Sequence, residues 1–111
     1  STADETIKKM AGWAEHAPPN FHHKLLLMQA EKAFLLGDSY NAAKKYEEAI
    51  KKAAENGFIQ EQAIAYELAG SFYLSQADTP KASRFYRKAH AIYLQWGAQG
   101  KADHLRLNFP F

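Results

Sequence analysis

Ala42-Ala43-Lys44-Lys45-Tyr46-Glu47-Glu48-Ala49 and, 40 residues later, Ala82-Ser83-Arg84-Phe85-Tyr86-Arg87-Lys88-Ala89 are the two stretches whose reading decides the fold. Each runs alanine, tyrosine four residues on, then alanine three beyond that, a spacing that puts all three on one face of an α-helix. The same 40-residue shift lays Ala30 over Gly70 and Asp38 over Asp78. Two helices that cross closely need a small residue at the crossing, because a larger side chain would push their backbones apart. Aromatic rings then fill the space left between neighbouring units. An ordinary helical-bundle core also holds aromatics, but it has no need of small residues recurring in register.

Outward from these stretches the 3.6-residue periodicity continues, broken by well-marked stops. The spacing predicts helices near 3–16, 20–36, 39–55, 59–76, 79–96 and 101–107, joined by short loops. Thr2 and Glu5 have the spacing of a capping box, and Pro18-Pro19 ends the first segment. Asn20 caps the second helix and Gly37 stops it; Asp38 or Ser39 caps the third, which Asn56-Gly57 closes. Thr79-Pro80 reads as a cap followed by the first helical residue, and Gly97 ends that helix. Glu47–Lys51 and Glu48–Lys52 are favourably oriented i,i+4 pairs. Strand signals are missing: the chain has no valine and no sustained alternation. These features predict an all-α protein of antiparallel helix pairs.

The pairing resembles the tetratricopeptide repeat, a helix–turn–helix unit of about 34 residues. Tyr66, Ala69, Gly70 and Tyr73 followed by Ala82, Tyr86 and Ala89 match its pattern best; Leu26, Ala30 and Ala33 hold the weaker slots of the other copy. The resemblance implies one tetratricopeptide-like domain over 1–111, with its units in a right-handed superhelical stack: a half repeat at 3–19, repeat one at 20–57, repeat two at 58–97 and a C-terminal capping helix at 100–107. The 40-residue offset is longer than the usual period. Two and a half units are few for an array in which each covers its neighbour, so the chain is expected to be a piece of a larger protein.

A more specific likeness rests on Trp13-Ala14-Glu15-His16-Ala17-Pro18 with Asn20-Phe21, Glu55-Asn56-Gly57-Phe58-Ile59 with Glu61-Gln62-Ala63, Glu67-Leu68-Ala69 with Phe72-Tyr73-Leu74, and Tyr93 with Trp96-Gly97-Ala98. Together these resemble the helical-repeat region of large bacterial multi-sensor signalling kinases, which join serine/threonine-kinase-like, AAA/STAND ATPase, GAF and histidine kinase domains. The likeness departs at Asn108-Phe109-Pro110, where an Arg-Tyr-Pro-like ending would stand. It implies a cytoplasmic, non-catalytic module that relays signals or binds protein segments, flanking domains of its own chain included. The same repeat in an ATPase-type transcription regulator, or in a stand-alone peptide-binding adaptor, is the alternative.

Composition bounds the chemistry. Of 111 residues 47% are hydrophobic and 23% charged, too apolar a mixture for disorder. The absence of cysteine rules out thiolate chemistry and disulfides, and no apolar run approaches the ~20 residues that span a bilayer. Net charge is +2 but unevenly spread: 8 Lys/Arg against 11 Asp/Glu in 1–78, and 6 against 1 in 79–111. Lys81, Arg84, Arg87 and Lys88 therefore form a candidate basic face, for which a solvated helix surface is the simpler reading.

Nothing in the spacing builds a catalytic or cofactor site. Gly97-Ala98-Gln99-Gly100-Lys101 is too short for a phosphate loop and lacks the following Ser/Thr. The adjacent His22 and His23 point about 100° apart on a helix, and Glu15, His16 and His22 could meet only across the Pro-Pro turn. Surface or loop-packing roles suit these histidines better than metal binding, and helix-face roles suit His90 and His104. Nucleic acid is not expected, because the aromatics between the basic residues point to the core. The expected function is protein or peptide binding, through a concave surface lined by Lys24, Leu27, Glu31 and Phe34 in unit one and Ile64, Glu67, Ser71 and Leu74 in unit two. Leu27, Glu31, Glu67 and Ser71 stand where chaperone-tail binders carry a carboxylate clamp, so a neighbouring helix or a basic amphipathic segment suits the groove better than an acidic tail. Apolar ends at Ile7 and Met10, and at Leu105, Leu107 and Phe109, are where adjoining segments or a second copy would stack.

Overall fold

A computed structural model of the chain describes residues 20–109. The expected helix at 3–16, with its Thr2–Glu5 box and the Pro18-Pro19 stop, lies outside the described residues. Five helices occupy the rest: α1 (Asn20–Leu35), α2 (Ser39–Glu55), α3 (Ile59–Ser75), α4 (Thr79–Trp96) and α5 (Gln99–Asn108). There is no strand among the described residues. The chain divides after Phe58 into two compact units, α1 paired with α2 in one and α3 paired with α4 in the other, where α5 packs on α4.

The helix lengths follow from a turn used four times. Gly37, Gly57, Ala77 and Gly97, each 20 residues from the next, take positive φ of 77°, 74°, 62° and 87°. After each, the following amide donates to the carbonyl five residues back: Asp38 to Ala33 at 2.8 Å, Phe58 to Ala53 at 2.9 Å, Asp78 to Tyr73 at 3.0 Å and Ala98 to Tyr93 at 2.8 Å. This closure satisfies carbonyls that a helix end leaves over. It also explains why α1 and α3 stop one residue before the sequence-based bounds.

The residue after each turn opens the next helix. Asp38 accepts from the Asn41 amide and Asp78 from the Lys81 amide, both at 3.2 Å. Asp78, not Thr79, is thus the cap of α4; Thr79 is its first helical residue, because the left-handed Ala77 sets where the helix starts. By the same logic α5 begins at Gln99, earlier than the expected 101, and its Ala98 cap makes no side-chain hydrogen bond. On the surface of α2, Glu48 pairs with Lys45 at 3.9 Å and Lys52 with Glu55 at 3.6 Å, the second an exposed bridge and both worth little.

Alanine and tyrosine make the core. Ala42, Tyr46 and Ala49 of α2 are at most 1% exposed, as are Ala82, Tyr86 and Ala89 of α4. In the second unit Tyr86 lies against Gly70: a Cβ there would fall 2.8 Å from ring carbon Cε1 and 2.9 Å from Cδ1. The ring has little room to yield. Phe109 stacks on it at 4.5 Å, and its hydroxyl shares a 2.8 Å hydrogen bond with Ser71. Phe85 completes the cluster with edge contacts to Tyr66 and Tyr73.

Two stability changes follow. Gly70→Ala should lower the unfolding free energy by about 1–3 kcal/mol through overpacking against Tyr86. Ala77→Gly should raise it by about 0.5–1 kcal/mol, because an alanine held at positive φ is relieved. Urea titrations of both variants beside the parent measure the two shifts, which have opposite signs.

Candidate functional site

Ile64, Glu67, Ser71 and Leu74 recur at intervals of three and four along α3, so they share a helix face, and all four are half-buried. The polar pair in the middle is tied down from beneath. Glu67 accepts from the Tyr93 hydroxyl at 2.9 Å, and Lys101 Nζ lies 3.7 Å from the same oxygen. Lys101 also sits over the Tyr93 ring, 5.6 Å from its centre. Ser71 is held by Tyr86. The stripe therefore presents two apolar ends, Ile64 and Leu74, around a polar centre whose direction tyrosines set.

In the other unit Leu27, Glu31 and Phe34 are half-buried along α1, with Lys24 exposed. Glu31 neighbours the buried Tyr46 phenol, so the tyrosine at 46 or 86 meets position 31 or 71 in each unit. Sequence reasoning identified the stripe and missed this supporting layer of Tyr46, Tyr86, Tyr93 and Lys101. Its signal was present, since positions 31 and 71 stand at the same 40-residue offset as Tyr46 and Tyr86.

The cations of the candidate basic face are placed differently from one another. Arg84, Arg87 and Lys88 line a shallow groove of about 460 Å³ on α4, together with Pro80 and Ala91. Lys81 is not part of it: half-buried, it lies 4.5 Å above the Tyr73 ring. Lys88 stands 5.5 Å over Tyr66, and Arg87 donates to Ser83 Oγ at 3.4 Å.

The remaining candidates are dispersed. His22 is exposed, whereas His23 is buried with its ring 5.1 Å from Phe58 in the α2–α3 turn, a loop-packing role. Glu15 and His16 lie outside the described residues, among which no group of three metal-capable side chains is found. Lys101, the basic end of the glycine-containing turn, is engaged with Glu67. The expected apolar C-terminal end is a correction: Leu105 is fully buried and Phe109 stacks on Tyr86, leaving Leu107 exposed. Ile7 and Met10 lie outside the described residues. Other large apolar side chains are exposed instead, notably Leu35, Leu36 and Tyr40 around the α1–α2 turn. No described helix is long and apolar enough to cross a membrane.

No family model matches the chain. Among curated proteins it is similar to hybrid signal transduction histidine kinase G of Dictyostelium discoideum, at 32% identity over 108 residues. The alignment covers 97% of this chain but 3% of that protein, so the chain spans a small fraction of the relative's length. The similarity relates this helical chain to a segment of a signalling kinase.

Burial pushes the Tyr46, Tyr86 and Tyr93 phenols above their ordinary value of 10.0. The Glu31 carboxylate adds to the rise at Tyr46 and Glu67 to that at Tyr93, while the hydrogen bond from Ser71 partly opposes it at Tyr86. Each phenol holds its proton more tightly folded than unfolded. Their contribution is therefore complete below about pH 10 and is lost as pH rises beyond it. Thermal melts should show a midpoint falling above pH 10 in step with phenolate absorbance, and Tyr93→Phe should flatten that fall.

Proposed function

We propose that this chain is a non-catalytic, tetratricopeptide-like helix-pair module that binds protein segments within a multidomain signalling histidine kinase, including segments of its own flanking domains. The observation that carries the reading is the alignment of nearly the whole chain with a small part of a hybrid histidine kinase. The 40-residue register, with equivalent alanines and tyrosines buried in both units, supports the repeat reading. The α1 and α3 stripes supply the binding surface: Leu27, Phe34, Ile64 and Leu74 offer apolar contacts, and Glu31 adds a carboxylate suited to a basic amphipathic segment. Glu67 is already satisfied by Tyr93 and Lys101, which orders the surface before a partner arrives and lowers the entropy lost on binding.

In calorimetry the 111-residue chain should show no heat of binding with Mg-ATP or zinc and no ATP turnover. In the full parent reading frame, Leu27→Asp, Phe34→Asp or Leu74→Asp should alter regulated autophosphorylation while leaving the catalytic domains folded. ATP hydrolysis by the chain, or kinase output indifferent to all three substitutions, would overturn the reading.

A further inference from the structure

Helix α4 carries Lys81, Arg84, Arg87 and Lys88 and not one acidic residue, and its outer face is indented by the groove that three of these cations line. We infer that this groove docks an acidic amphipathic helix of a protein partner, at a surface distinct from the α3 stripe; the inference rests on the reading of the chain as an interaction module.

Pro80, Arg84 and Lys88 stand four residues apart and form one ridge of α4. Arg84, Arg87 and Ala91 form a second row at spacings of three and four. Ridges of this kind accept the side chains of a facing helix between them. From Arg84 to Lys88 the helix rises about 6 Å, the same rise that separates two carboxylates at i and i+4 on a partner helix. Such a pair can meet Arg84 with Lys88, and a pair at i and i+3, about 4.5 Å apart along the axis, can meet Arg84 with Arg87, each guanidinium fork taking two carboxylate oxygens. Pro80 and Ala91, at the two ends, receive the partner's apolar side chains and give the groove a reason to prefer an amphipathic helix over a purely charged tail.

Two of the cations are already steadied. Arg87 is held toward Ser83 at 3.4 Å and Lys88 over the Tyr66 ring, so less side-chain freedom is lost on binding. Asp78, which precedes α4, is occupied as the helix cap, accepting from the Lys81 amide. Nucleic acid fits less well. Phe85, Tyr86 and Tyr93 of α4 are buried and offer no face for a base, and the exposed Trp96 lies beyond the groove at the helix end.

The test is fluorescence anisotropy on the 111-residue chain with a labelled helical peptide bearing glutamates at i, i+3 and i+4, flanked by leucines on the same face. Its Glu→Gln counterpart and a short DNA duplex serve as comparison probes. The acidic peptide should bind, with the glutamine peptide about tenfold weaker or more. Arg84→Glu with Arg87→Glu should cause a similar loss. Ala91→Tyr, which fills the groove without changing charge, should weaken peptide binding too, and circular dichroism should show both variants folded. Absence of peptide binding, indifference to both variants, or tighter binding of DNA than of peptide would overturn the proposal. Peptide binding lost on Leu74→Asp but kept in Arg84→Glu with Arg87→Glu would remove the α4 groove while leaving the interaction reading intact.

Discussion

The approach of Tyr86 to Gly70 is the constraint on which the second unit depends. A ring that would stand 2.8 Å from any Cβ at position 70 leaves room for hydrogen alone, so α3 and α4 close this tightly because glycine faces tyrosine. The contact then organises its surroundings. The Tyr86 hydroxyl fixes Ser71, its ring stacks on Phe109, and the buried alanines of α4 let the helices stay close. Close packing of small residues gives each helix little apolar area of its own. The aromatic cluster of Tyr66, Phe72, Tyr73 and Phe85 supplies much of the surface that water must leave.

The turns constrain the architecture in a second way. A left-handed residue every 20 positions interrupts the chain at intervals that leave helices of 17 or 18 residues between successive turns. Glycine supplies that conformation at three of the four positions without strain. At the fourth, Ala77 adopts it because the closing hydrogen bonds on either side, and the Asp78 cap that follows, over-determine the backbone. Helix length, turn and cap thus form one repeating piece of geometry, and it aligns the alanine-tyrosine-alanine faces of α2 and α4 toward their partners.

The same tyrosines join the core to the surface. Each is apolar along its ring and polar at its tip, so a residue that fills the interior also reaches the half-buried stripe on the neighbouring helix. Tyr86 ends at Ser71, Tyr93 at Glu67, and Tyr46 beside Glu31. Surface residues with a role in contact are in this way held by residues with a role in packing. Lys101 extends the arrangement by drawing α5 onto the Glu67–Tyr93 pair.

Much of this was legible in the residues themselves. The periodicity of apolar positions, the glycines at 37, 57 and 97 and the aspartate at 38 are local signals, so helix class and the bounds of α2 and α4 followed from them. The stripe at Ile64, Glu67, Ser71 and Leu74 was also a matter of helical spacing alone. What spacing could not supply was everything that depends on a second element. Ala77 has no side-chain signature of positive φ, and its place as a turn is set by hydrogen bonds across the helix end. Leu105 and Phe109 looked like an uncovered apolar end until α5 packed on α4 and Phe109 found Tyr86. Charge alone groups Lys81 with Arg84, Arg87 and Lys88, whereas its ammonium lies over the Tyr73 ring. Among the described residues the sequence by itself determined which segments are helical, because helix signals are set within a few turns of chain. The tertiary structure decided which tyrosine meets which carboxylate and which cation lines the groove, because those depend on distances between helices that no single helix contains.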